Sequence, residues 1–153
     1  MVLDEMQTLA DSSSPSETGG MLLGYIAVEG DVVVTAIIGP GPNAKHSRFA
    51  FEHDAEYQQY ELEAYFRATK GTKSYLGDWH THPFGSCNLS TIDKHTLFNI
   101  ASTPSSRINN PVMAILAGAP TGYWRLGAVR FLGMKKRFFS KKYHLETLEV
   151  IVF

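Results

Sequence analysis

The sequence predicts an α+β domain, a curved and largely antiparallel sheet with helices packed against it. Three observations point there. The apolar pattern changes period along the chain in the order helix, hairpin, helix, strand, helix and then strands. The chain has 153 residues, 44% hydrophobic and 19% charged, which suits one core and one domain over residues 1–153. No internal repeat or low-complexity block is present beyond one serine-rich loop.

Residues 3–10 are an amphipathic helix candidate, stopped by the polar run Asp11-Ser12-Ser13-Ser14-Pro15-Ser16. Met21 to Val28 and Val32 to Ile38 are β-prone, and Glu29-Gly30-Asp31 between them reads as a hairpin turn. Gly39-Pro40-Gly41-Pro42-Asn43 stops the second strand. From Asp54 to Thr69 the period is helical: Ala55, Leu62, Tyr65 and Phe66 share a face, Asp54 caps the start and Gly71 ends it. Tyr75 to Thr81 is a strand candidate and Ser90 to Ser102 a helix closed by Pro104. Val112 to Ala117 and Tyr123 to Leu132 are strands around Gly118-Ala119-Pro120-Thr121-Gly122, and Leu145 to Phe153 is a last β-prone run.

Composition narrows the function classes. A single cysteine, Cys87, excludes an intramolecular disulfide framework and a Cys-rich structural zinc site. No apolar run approaches the roughly 20 residues that span a bilayer, so no membrane role is expected. The first basic residue is Lys45, which leaves no charged region for a signal peptide, and the expected location is the cytoplasm. The formal net charge is −1, unevenly spread: residues 1–114 hold 7 Lys and Arg against 13 Asp and Glu, residues 115–153 hold 7 against 2. Five basic residues fall between Lys135 and Lys142. That segment reads either as a solvated hairpin or loop or as a docking patch for an acidic partner. An even total does not suggest nucleic-acid binding.

The chemistry is concentrated in Asp78-Trp79-His80-Thr81-His82-Pro83, followed by Ser90 and Asp93. Side chains alternate faces along a strand, so His80 and His82 project from the same side, close enough to share a metal ion. Pro83 keeps His82 extended and ends the strand. Asp93 falls in the first turn of the next helix, where the returning chain can bring it back to the histidines. Two imidazoles and one carboxylate suit zinc, and three protein ligands leave a fourth position for water, the mark of a catalytic site. A bare His-x-His is a weak signal, but His-x-His-(seven)-Ser-(two)-Asp arises by chance on the order of once in a thousand such sequences. Ser90 and Asp93 also have the spacing of a helix N-terminal cap, which is compatible with catalysis because a cap fixes both side chains. Asp78 shares the histidine face and reads equally as an orienting partner of an imidazole or as a solvated residue. Trp79 and Thr81 point to the opposite face, toward the core. His46, His53, His95 and His144 have no companion at ligand spacing, and Cys87 is either a small loop thiol or a group able to reach the open zinc position.

His80-Thr81-His82-Pro83 with Ser90 and Asp93, preceded by Glu17-Thr18-Gly19-Gly20-Met21-Leu22-Leu23-Gly24, resembles the JAMM (MPN-plus) metalloprotease motif. The resemblance runs from Glu17 to about Leu132, and its form is most similar to the bacterial branch of that family. It implies a zinc isopeptidase or peptidase that cuts the amide bond after the C-terminal tail of a ubiquitin-like protein. His80, His82 and Asp93 would be the zinc ligands, Glu17 the general base and Ser90 a donor to the oxyanion. Members of the bacterial branch occur beside ubiquitin-like conjugation enzymes, including those of anti-phage operons, which makes a ubiquitin-like conjugate and those enzymes the implied partners. Glu17 is not selected by spacing, since it lies 63 residues before His80; by itself it reads as a surface glutamate. One departure stands out: the family often has proline just before the serine, where this chain has Asn88-Leu89 after Cys87. The alternative is an inert MPN-type binding or scaffold module. Such modules typically lack part of the ligand set, and here every position is filled.

Overall fold

The computed structural model describes residues 1–48, 50–120, 123–137 and 140–153. Its elements are α1 (Val2–Ser13), β1 (Gly19–Ile26), β2 (Val32–Ile38), β3 (Lys45–His46), β4 (Phe51–Glu52), α2 (Ala55–Ala68), β5 (Ser74–Pro83), α3 (Thr91–Ser102), a 3-10 turn (Pro104–Ser106), β6 (Val112–Gly118), β7 (Arg125–Arg137) and β8 (Ser140–Leu148). Six strands form one sheet in the order β2-β1-β5-β6-β7-β8, and β3 pairs with β4 alone. Every neighbouring pair is antiparallel except β5 and β6. A parallel neighbour needs a crossover, and α3 supplies it. The α+β class with a mostly antiparallel sheet is therefore the observed one.

The sheet is buried on both faces at its centre. Val112, Ala114 and Leu116 of β6 join Leu22, Leu76 and Trp79 beneath Met6 and Ala10 of α1. Met113, Ile115 and Ala117 point the other way, into a second core with Leu97 of α3 and Phe131 of β7. This two-sided burial explains why β6 reads as an unbroken apolar run instead of alternating.

Several boundaries differ from the sequence expectation. The first helix runs on through Ser13, its last turn tied down where Trp124 Nε1 donates to Asp11 Oδ1 at 2.7 Å. Along α2 the buried residue is Gln58, while Ala55 and Phe66 are exposed. The Gln58 amide donates to the Gly39 carbonyl at 2.9 Å, so one specific polar contact outweighs the apolar stripe. The last strand ends at Leu148, with no strand over residues 149–153. Its pairing begins inside the basic segment, where Lys135 opposes Lys142, so that segment forms the two arms of a hairpin. Residues 138–139 of the basic segment, and Thr121 and Gly122 of the expected turn before β7, lie outside the described residues.

Candidate active site

Strand β5 sets the geometry. Its register with β6 places Asp78, His80 and His82 beside Met113, Ile115 and Ala117, on the α3 face of the sheet. Trp79 and Thr81 point to the other face and are 1% and 0% exposed, as the period of two requires. Near its start β5 carries a bulge: Leu22 opposes Gly77 while Leu23 opposes Tyr75, leaving Leu76 as the extra residue. That extra residue puts Leu76 into the α1 core beside Trp79 and brings Tyr75 round to Asp78. Gly77 has φ +138°, and a Cβ there would stand 1.9 Å from the Val112 carbonyl oxygen, so only glycine fits the bulge.

The three metal-capable groups come together. One donor atom each from His80, His82 and Asp93 lies within 4.8 Å of the others. The two Nε2 atoms are 3.0 Å apart, and Asp93 places Oδ1 at 3.3 Å from His80 Nε2 and Oδ2 at 3.7 Å from His82 Nε2. His82 Nδ1 sits 2.8 Å from the Ser86 carbonyl. A carbonyl only accepts, so the proton is on Nδ1 and the Nε2 lone pair faces the cluster. Asp93 reaches back because Ser90 caps α3: Asp93 N–H donates to Ser90 Oγ at 3.1 Å, and Ser90 N–H donates to Asp93 Oδ2 at 2.6 Å. Burial pushes the Asp93 carboxyl upward, but His80 and the two Ser90 contacts outweigh it and hold the group well below the usual carboxylate range. The donor set, a pair of nitrogens and a carboxylate on neighbouring rigid elements, fits a first-row divalent metal.

Glu17 arrives by strand pairing. Gly19 opposes His80 in the β1–β5 ladder, and the pairing continues past the strand: Thr81 N–H donates to the Thr18 carbonyl at 2.8 Å, and Thr18 N–H to Thr81 Oγ1 at 3.0 Å. Two residues from Gly19, Glu17 falls on the face of His80 and His82. Gly19 keeps that face clear, since a Cβ there would come within 2.9 Å of His80 Cβ. Burial pushes the Glu17 carboxyl up, the two imidazoles pull it down, and Asp93 pushes it up again, for a net rise. Asp78 is not hydrogen-bonded to a site imidazole. It accepts from the Tyr75 hydroxyl at 2.8 Å, and burial raises its pKa against the lowering effect of that bond and of His53 and His80. Cys87 Sγ donates to the Arg125 carbonyl at 3.3 Å and is not among the grouped donors. His46, which spacing left without a companion, contacts the Glu17 backbone; no local sequence signal pairs those two residues.

Residues 1–127 match the family of prokaryotic homologs of the JAB domain. The chain belongs to the prokaryotic JAB family. It is similar to the probable metalloprotease y4qB of Sinorhizobium fredii, 36% identical over 108 residues, which are 70% of this chain and 66% of that protein. A CD-NTase/cGAS isopeptidase of Enterobacter hormaechei is 29% identical over 128 residues, 82% of this chain and 69% of that protein. The JAB chain thus spans about two thirds of the length of these curated relatives. Among solved structures, protein DSY2949 from Desulfitobacterium hafniense has a TM-score of 0.60 at 18% identity, covering 94% of this chain and 85% of that one, a likeness of fold. No helix among the described residues is long and apolar enough to cross a membrane.

Proposed function

We propose that this JAB-family chain is a zinc-dependent isopeptidase that hydrolyses the amide bond after the C-terminal tail of a ubiquitin-like protein. The observation that carries the reading is the convergence of His80, His82 and Asp93 within 4.8 Å on one sheet face. Metallopeptidase is the class supported by the family and by relatives named metalloprotease and isopeptidase. His80, His82 and Asp93 would hold the zinc, which when bound supplies a Lewis acid and lowers the pKa of a water to about 7. Glu17 is the proton shuttle. Its carboxylate takes the proton of the attacking water and delivers it to the leaving amine, and burial makes it a stronger base than a solvated glutamate. Ser90 Oγ already accepts from Asp93 N–H, so its own hydroxyl proton is available to the developing oxyanion.

The test is a cleavage assay read by intact mass. Zinc-loaded protein and Glu17→Ala are given ubiquitin-fold proteins joined through C-terminal tails to a second protein. The wild type should cleave and Glu17→Ala should not, with equal zinc in both, because the base is not a ligand. Cleavage of no substrate by zinc-loaded wild type, or full activity of His80→Ala, would sink the proposal.

A further inference from the structure

The β3–β4 hairpin meets the site without giving it a donor. His46 Nδ1 lies 2.9 Å from the Glu17 carbonyl oxygen, so Nδ1–H donates and the carbonyl accepts. On the other side of the residue, Glu17 N–H donates to the Ser47 carbonyl at 2.8 Å. Two adjacent hairpin residues therefore hold both backbone polar groups of Glu17, which stands just outside β1 and beyond its ladder. The next residue, Thr18, is fixed by its two bonds to Thr81.

The hairpin is itself braced. Lys45 Nζ pairs with the Glu52 carboxylate at 3.2 Å, and Ser47 donates to the Ala50 carbonyl from both N and Oγ at 2.9 Å. The His46 ring leans on Phe51 with ring centres 5.5 Å apart, which sets the imidazole plane.

We infer that His46 is a positioning residue: by docking the hairpin on the Glu17 carbonyl, it fixes the direction in which the Glu17 side chain leaves the backbone. The inference rests on the reading of Glu17 as the base. A glutamate side chain has several rotatable bonds, and its reach to the three ligands depends on where its Cα–Cβ bond points. A misplacement of about 1 Å in a reacting group can cost on the order of a hundredfold in rate.

The test compares His46→Ala, His46→Asn and His46→Gln in the full chain. Asparagine puts an N–H donor near the place of Nδ1; glutamine puts it one bond further out. The first readout is amide hydrogen exchange at Glu17 and Thr18, in zinc-loaded and metal-free protein. His46→Ala should speed exchange at Glu17 by about fivefold to tenfold, the size expected for one lost hydrogen bond. The second is steady-state kinetics with zinc content measured. His46→Ala should lower kcat by about 10- to 100-fold, with KM and bound zinc unchanged. Asparagine should restore most of both effects and glutamine should not. Wild-type exchange and kcat in His46→Ala would overturn the inference. So would loss of zinc, or a loss of kcat that asparagine does not rescue, since both point to a general loosening. If wild-type protein cleaves nothing, the functional reading fails, and the exchange arm still decides whether His46 holds Glu17.

Discussion

Ser90 has two separable duties at the head of α3, capping the helix and, on the proposed mechanism, donating to the oxyanion. Loss of a serine cap to alanine costs about 1 kcal/mol, whereas glycine costs only a few tenths. Both substitutions remove the hydroxyl. Turnover should therefore fall by about 100- to 1000-fold in Ser90→Ala and Ser90→Gly alike, while urea melts separate them. Equal turnover in wild type and Ser90→Gly would remove Ser90 from the chemistry. Phe84 poses a different question. It follows Pro83 in the tight turn closed by Gly85 N–H to the His82 carbonyl at 3.0 Å, with φ +59° and 66% exposure. That position favours glycine, and a bulky residue there costs on the order of 1 kcal/mol or more. Phe84→Gly should raise stability, by up to about 1 kcal/mol once the added freedom of the unfolded chain is counted. A thermal melt showing a lower midpoint would mean that the exposed ring makes a contact worth more than the strain.

At the scale of elements, α2 shows how a local signal and a tertiary contact divide the work. Asp54 was legible as its cap, and its Oδ1 accepts from Tyr57 N–H at 3.1 Å while Oδ2 accepts from the Asn43 backbone and side chain. The Tyr57 bond, with further help from the Asn43 contacts, holds the Asp54 carboxyl below its ordinary value against the opposing effect of desolvation. A depressed folded-state pKa contributes stability above the unfolded-state value and loses it as pH falls through the folded one. Wild type should therefore exceed Asp54→Asn in denaturant midpoint at neutral pH, and the gap should close in strong acid. A gap independent of pH would show that the charge is irrelevant to the cap. Gln58, by contrast, was not legible as the buried residue of α2, because its partner is the Gly39 carbonyl at the end of β2. The arms of β7 and β8 extend past the strands expected from the sequence for a related reason. Lys135 and Lys142 are exposed and polar, yet ladder hydrogen bonds make them strand without any apolar pattern.

For the whole molecule, the six-stranded sheet carries a core on each face, and neither core includes His80, His82 or Asp93. The fold should stand without zinc, unlike a small domain that folds only around its metal. On the proposed reading zinc binds the folded state alone, so chelation should lower the melting midpoint, by an amount corresponding to about 2.7 kcal/mol when free zinc is 100 times its dissociation constant. His80→Ala should show no such dependence, and an unfolded chelated protein would contradict this division. The features readable along the chain are local ones. A period of two placed His80 and His82 on one face, and a spacing of three tied Ser90 to Asp93. Propensity and turn residues marked most of the elements, because these depend on neighbours within one strand or one helical turn. Glu17 was legible only through its likeness to a family motif. Three features arise only in the folded chain: the parallel pairing of β5 with β6, the register that sets Gly19 opposite His80, and the hairpin that brings His46 to Glu17. Such contacts join residues far apart in the chain, and they are selected by strand order and packing of the whole sheet, which no local period encodes.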